Sequence, residues 1–192
     1  MMDISTASGK ILAGNLLFAA CCCVYLIWWS VAFRPGYTAA MSIKVSLFIV
    51  TAILGVAGLV MIIQGCAAAH SPVRYLLIIG VGAAVYIIML LLTNFLMHRQ
   101  VTTELMLIVF WVCMEICACG ALCGEGAFGS KAFALLIMIV VAASAAGMIC
   151  YLKYYDLEPM TAFYDGMVPL ILFALVMIGI SVFQVSYYGG NG

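Results

Sequence analysis

Six long, apolar and almost uncharged stretches limit the folds open to this chain more than any other feature. Each holds about the 20 residues that an α-helix needs to cross roughly 30 Å of hydrocarbon. Of the 192 residues, 68% are hydrophobic and 7% are charged, whereas soluble domains carry roughly 25% charged residues. The predicted membrane-spanning segments are 15–33, 45–64, 75–97, 105–123, 132–152 and 166–184.

These segments predict an all-α polytopic membrane protein, a six-transmembrane-helix bundle that forms one membrane domain over residues 1–192. Polar and apolar residues do not alternate along them, as they would in the strands of a membrane barrel. The first segment runs into Arg34 and Pro35 without a small-residue cleavage site. We therefore expect a permanent helix there rather than a secretory signal.

The spacing of the segments favours two halves of three helices each. An odd number of spans per half would make the two halves inverted repeats, as in many transporters. Residue identity between the halves is slight, and six evenly spaced helices without common ancestry would give similar spacing.

Small residues predict where helices approach closely, because apolar side chains gain little by exchanging lipid for one another. The second segment carries Gly55 and Gly58, and the third carries Gly80 and Ala84 four residues apart. Trp28 and Trp29, near the end of the first segment, are typical of anchors at headgroup level.

Glu115 is the strongest candidate for chemistry, because it is a lone carboxyl near the middle of an apolar segment. At about 100° per residue, Trp111 and Cys119 share its helix face. The carboxyl could exchange a proton during transport, or bind a cation or a substrate amine. Without a deep cation nearby, we expect it to be protonated at neutral pH. The structural alternative is a protonated Glu115 bonded to Asn94, Ser144 or a backbone carbonyl.

Four further residues complete the predicted substrate- or proton-binding set. Tyr86 and Asn94, in the third segment, carry polar groups that need partners when buried. Arg34 and Asp165 lie on one membrane side, where we expect a charged vestibule or a solvated rim. Asp165 also suits the N-cap of the sixth helix, with Pro169 in or just past the first turn.

No cofactor and no metal site are expected. The nine cysteines include no Cys-x-x-Cys pair, and Cys21, Cys22 and Cys23 point about 100° apart on one helix. We interpret the cysteines as small packing residues. His70 and His98 lie in or beside loops, which disfavours haem ligation. The net charge is zero, so nothing indicates a nucleic-acid partner.

The first functional hypothesis is a transporter or channel-like protein for a small solute or ion, proton-coupled through Glu115. The alternative is a non-catalytic membrane subunit that binds a substrate or anchors a partner, and a membrane enzyme ranks third. A second copy of the chain is a further candidate partner beside the lipid bilayer. We expect a bacterial cytoplasmic membrane, but four basic residues on one side against three on the other do not decide orientation.

Overall fold

The computed structural model describes residues 6–69, 72–96, 98 and 103–190. His70, Met97 and Arg99 lie outside these residues. Six α-helices follow in order: α1 Ala7–Phe33, α2 Met41–Ala68, α3 Pro72–Leu91, α4 Thr103–Gly124, α5 Ser130–Lys153 and α6 Pro159–Gly190. A π-helical turn, Leu92–Leu96, continues α3, and a 3-10 turn, Tyr154–Asp156, continues α5. All six are long and apolar enough to span a membrane, which confirms the predicted six-helix membrane bundle.

The helices at the two ends of the chain are longer than predicted. Helix α1 has 27 residues, or about 40 Å at 1.5 Å per residue, and begins where the Thr6 hydroxyl accepts a hydrogen bond from the Gly9 N–H. Helix α6 has 32 residues, or about 48 Å, and begins at Pro159, a residue suited to the first helical position. Both exceed a hydrocarbon layer of about 30 Å.

The N-cap prediction for Asp165 is therefore wrong, because this residue lies inside α6 rather than at its start. Pro169 also lies within the helix, well beyond the first turn. Proline has no N–H, so the carbonyl of Asp165, four residues earlier, loses its usual helical hydrogen bond. This is the point at which α6 is weakest.

Glycines bring α1 and α2 into backbone contact, the most extensive helix contact in the fold. A Cβ added to Gly14 would collide with the Ile62 side chain and lie 3.0 Å from the Gly58 carbonyl oxygen. At Gly58, it would lie 2.8 Å from the Phe18 ring. The close approach predicted at Gly58 is thus confirmed. The prediction that another helix of this chain approaches closely at Gly80 is wrong, because a Cβ there would meet no described atom within 4 Å.

Helix α4 is the centre of the bundle. It packs against α1, α2, α3 and α5, whereas α3 makes extensive helix contact with α4 alone among the described residues. In α4, 56% of the residues in the most apolar membrane-spanning stretch are buried, compared with 11% to 28% in the other helices. Five helices therefore face lipid over most of their surface, and α4 alone provides a largely enclosed surface.

Trp29 joins α1 to α6 rather than anchoring the protein at headgroup level. Its ring is 7% exposed, and its Nε1–H donates a 3.1 Å hydrogen bond to the Phe163 carbonyl. Gly166 leaves room for the ring, since a Cβ there would lie 2.5 Å from it. The headgroup-anchor interpretation of Trp29 is wrong. Trp28 is half-buried and packs against Phe33 and Phe48.

The helix contacts agree only in part with two inverted halves. If the two halves were exchanged, the α1–α2 contact would correspond to α4–α5, and the α1–α6 contact would correspond to α3–α4. These four contacts are all present. The α5–α6 contact would correspond to α2–α3, which make no comparable contact among the described residues. The inverted repeat stays a prediction.

Replacing Gly14 by alanine should lower the free energy of unfolding by about 1–3 kcal/mol, because the added methyl group overpacks the α1–α2 contact. Thermal unfolding in detergent measures the change. Gly80→Ala is the matched control, and the better helix propensity of alanine should make it neutral or slightly stabilising. Equal melting temperatures for the two variants would contradict the proposed role of Gly14.

Candidate functional site

Glu115 is fully buried on α4, and neither of its carboxyl oxygens has a hydrogen-bond partner among the described residues. At 1.5 Å per residue it lies about 18 Å from Thr103 and about 14 Å from Gly124, the two ends of the helix. Burying a polar group without a partner costs roughly 1–3 kcal/mol, and more if the group is charged. Groups of this kind in a membrane interior are candidates for function.

Thiols are among the ionisable groups close enough to Glu115 to interact with it electrostatically. They belong to Cys22 on α1, Cys66 on α2 and Cys119 on α4. Cys119 is fully buried one turn along the helix, as its shared face with Glu115 predicts. Helices α1 and α2 therefore lie beside the Glu115 face of α4, and none of these three thiols provides a positive charge. Within the described residues, no three His, Cys, Asp or Glu side chains gather as a metal site.

Trp111 lies one turn from Glu115 in the other direction and is also buried. Its ring stacks on Phe173 of α6, with 4.0 Å between ring centroids and 13° between ring planes. The Trp111 Nε1–H has no hydrogen-bond partner among the described residues. The stack places two large aromatic rings between Glu115 and the membrane side on which α4 begins.

Asn15 on α1 is a site residue that the sequence analysis missed. Its side chain is fully buried, and both its amide oxygen and its amide nitrogen lack partners in the described structure. Ile11 and Ala19, one turn before and after it on the same face, belong to the core cluster that also contains Cys119 and Leu122 of α4. Asn15 therefore faces the interior that encloses Glu115.

Gln184 on α6 is a second site residue that the sequence analysis missed. It is fully buried, its amide nitrogen donates a 2.8 Å hydrogen bond to the Ser8 carbonyl, and its amide oxygen has no partner among the described residues. Both amides stand at the outermost positions of the predicted segments, 15–33 and 166–184. They resemble polar boundary residues when only composition is considered. Their helices extend further, so both amides lie inside the bundle.

The other predicted site residues lie apart from Glu115. Tyr86 is half-buried and packs at the edge of the core cluster, and Asn94 is exposed in the π-helical turn. Arg34 is exposed at the end of α1. Asp165 is half-buried, and its Oδ2 atom is buried without a partner in the described structure.

Glu115 is not hydrogen-bonded to Asn94 or Ser144, the two side chains that the structural alternative proposed as its partners. Ser144 donates its hydroxyl hydrogen to the Val141 carbonyl, 2.9 Å away in its own helix. Asn94 is exposed. The carboxyl of Glu115 is thus sheltered without being bonded to either residue.

A groove of about 330 Å³ lies between α3, α4 and α5, and it does not include Glu115. Its lining is almost wholly apolar, with Gly82 and Cys113 in contact at the α3–α4 side and Ser144 at the α5 side. It suits acyl chains rather than a polar solute. The polar groups at depth and the open groove therefore lie on different faces of α4.

Replacing Glu115 by leucine should leave the bundle as stable as before or raise its free energy of unfolding by roughly 1–3 kcal/mol, because an unpartnered buried polar group is removed. Thermal unfolding in detergent measures the effect. Glu125→Leu is the matched control at an exposed position outside the bundle core. A large loss of stability in the Glu115 variant alone would show that the carboxyl has a structural partner.

Comparison of the chain with protein-family models, with characterised proteins and with solved structures finds no match. A function for this membrane protein therefore has to be inferred from its buried groups.

Proposed function

We propose that the protein is a small transporter of a bacterial cytoplasmic membrane, in which the Glu115 carboxyl takes up and releases a proton as a small solute or ion crosses. The observation that carries this proposal is the complete burial of Glu115 on the central helix without a hydrogen-bond partner in the described chain. A carboxyl in that environment is stable when neutral and costly when ionised. The protonation state of Glu115 therefore depends on whether the helices around it are closed or separated.

The position of Glu115 supports a transport role over a packing role. The residue lies near the middle of α4, which packs against α1, α2, α3 and α5 and also stacks Trp111 on Phe173 of α6. A change in packing around α4 would expose the carboxyl to one membrane side or the other. Alternating exposure of a buried group is the physical requirement for coupling its proton to a solute.

Helix α6 offers a way for the bundle to open. Pro169 interrupts its hydrogen bonding, and the Cβ of this proline lies 3.5 Å from where a Cβ would stand on Gly147 of α5. Phe173, one turn further on, stacks on Trp111. A bend at Pro169 would move Phe173 away from Trp111 and expose Glu115 towards the start of α4. This arrangement favours a moving α6 over a fixed channel.

A second candidate function is a non-catalytic membrane subunit that docks a partner. Helix α3 supports it, because among the described residues its extensive helix contact is with α4 alone, which leaves Gly80, Ala83 and Ala84 on its exposed surface. Small residues of this kind allow another helix to approach closely. Purification in mild detergent separates the two functions: a stoichiometric partner favours the subunit, and a homogeneous chain that is active alone favours the transporter.

The transport proposal predicts that Glu115→Gln abolishes proton coupling while leaving the bundle folded. Purified protein is reconstituted into liposomes that enclose a pH-sensitive dye. Amino acids, small amines and monovalent cations are then added in turn from outside. We expect at least one class to change the internal pH with the wild-type protein, and no change with the variant, because an amide cannot exchange a proton at neutral pH.

Glu125→Gln is the matched control, since the same change is made at an exposed carboxyl. It should transport like the wild-type protein. An unchanged pH response in Glu115→Gln would overturn the coupling role. Labelled solute that accumulates equally in all three proteins without a pH change would show transport that does not use a proton.

A further inference from the structure

We infer that Glu115 exchanges its proton with the membrane side on which α1 begins, along a polar file formed by Asn15, Gln184 and the Ser8 backbone. This inference rests on the proposed function and names the side and the residues through which the proton passes. It assigns a role to two buried amides that packing alone does not explain.

Asn15 is the nearest step of the polar file to the carboxyl. Asn15 lies eight residues, or about 12 Å, from the start of α1, and Glu115 lies nine residues, or about 14 Å, from the end of α4. With six spans in order, α1 begins on the membrane side on which α4 ends. Asn15 is therefore close to the depth of Glu115, on a helix that contacts α4.

Gln184 and Ser8 continue the file towards the membrane side. Ser8 precedes Asn15 by two turns on the same face, in the first turn of α1, and is buried. Its carbonyl is bonded to the Gln184 amide nitrogen, which leaves the fully buried Gln184 amide oxygen free to accept a hydrogen bond. Met177 and Ile180 share the face of Gln184 and belong to the core cluster that also contains residues of α4.

On α4 itself, the opposite direction from Glu115 is apolar. Towards the start of α4 the buried residues are Trp111, Ile108 and Leu105, and the Trp111 ring is covered by Phe173. The indole N–H of Trp111 is the one polar group of these side chains. Water and protons cross an amide-lined path far more readily than one filled by stacked aromatic rings.

The chemistry of the step needs no further reactant. The O–H bond of the protonated Glu115 carboxyl breaks, the proton joins water that has entered the file, and the carboxylate keeps the electron pair. Asn15 and Gln184 do not ionise; their amides donate and accept hydrogen bonds that position the water. The thiol of Cys119, buried one turn from Glu115 on the same face of α4, provides no positive charge to hold the carboxylate.

Hydrogen–deuterium exchange at the Glu115 carboxyl tests the path without a transport substrate. Infrared spectra of the reconstituted protein follow the C=O stretch of the protonated carboxyl, identified by subtracting the Glu115→Gln spectrum, after transfer to D₂O. Asn15→Leu and Gln184→Leu should each slow the shift of this band by about tenfold or more, since water loses a hydrogen-bonding position in the file. Asn15→Ser, which keeps a polar group, should lie between Asn15→Leu and the wild-type protein.

Ser181→Ala is the matched control, because Ser181 is a buried polar residue of α6 whose hydroxyl is already bonded to the Met177 carbonyl. It should exchange at the wild-type rate. Wild-type exchange rates in Asn15→Leu and Gln184→Leu would overturn the path.

The two proposals fail separately. If the amide variants exchange normally and Glu115→Gln still loses proton coupling in liposomes, the path is wrong and the transport function stands. If Glu115→Gln keeps its coupling, the proposed coupling role of Glu115 is wrong, whatever the exchange rates are.

Discussion

The rest of the structure depends on one constraint: hydrocarbon cannot satisfy a polar side chain, so the helix that carries a deep carboxyl has to be enclosed by other helices. Helix α4 carries Glu115 and is the most buried helix of the bundle. The other five helices place their small and apolar surfaces against it or against one another and leave the remainder to lipid. The central position of α4 thus follows from one residue that lipid would not accept.

Shielding a carboxyl requires close packing, and lipid removes most of the hydrophobic driving force that would provide it in water. The chain meets this need with glycines on facing helices, above all at the contact of Gly14 with Ile62 and Gly58. At Gly166 of α6, the space is instead filled by the Trp29 ring of α1, which also forms a hydrogen bond across the two helices. Helices α1, α2 and α6 are thereby held together beside α4 with little reliance on polar contacts.

Sequence reasoning predicted the six spans, the burial of Glu115 and the shared face of Trp111 and Cys119, because charge depletion and helix periodicity act locally. It missed Asn15 and Gln184, since an amide at the border of an apolar stretch has the same composition whether its helix ends there or continues. The N-cap prediction for Asp165 failed for a related reason: the residues before it continue the helix back to Pro159. Which helix Glu115 faces could not be predicted, because that depends on contacts between distant segments.

The buried polar groups are arranged in a way that favours exchange over stability. A carboxyl bonded to a lysine or to a fixed amide would stabilise the bundle more, but the same partner would hold it in one protonation state. Glu115 has no such partner in the described chain, and the nearby amide of Asn15 is likewise unpartnered. Each group is buried without a hydrogen bond, which costs free energy. When the helices separate, both groups can bind water and the carboxyl can release its proton. The interior thus lacks hydrogen bonds at the depth where the proposed transport would require the helices to move, and glycine packing elsewhere holds the fold together.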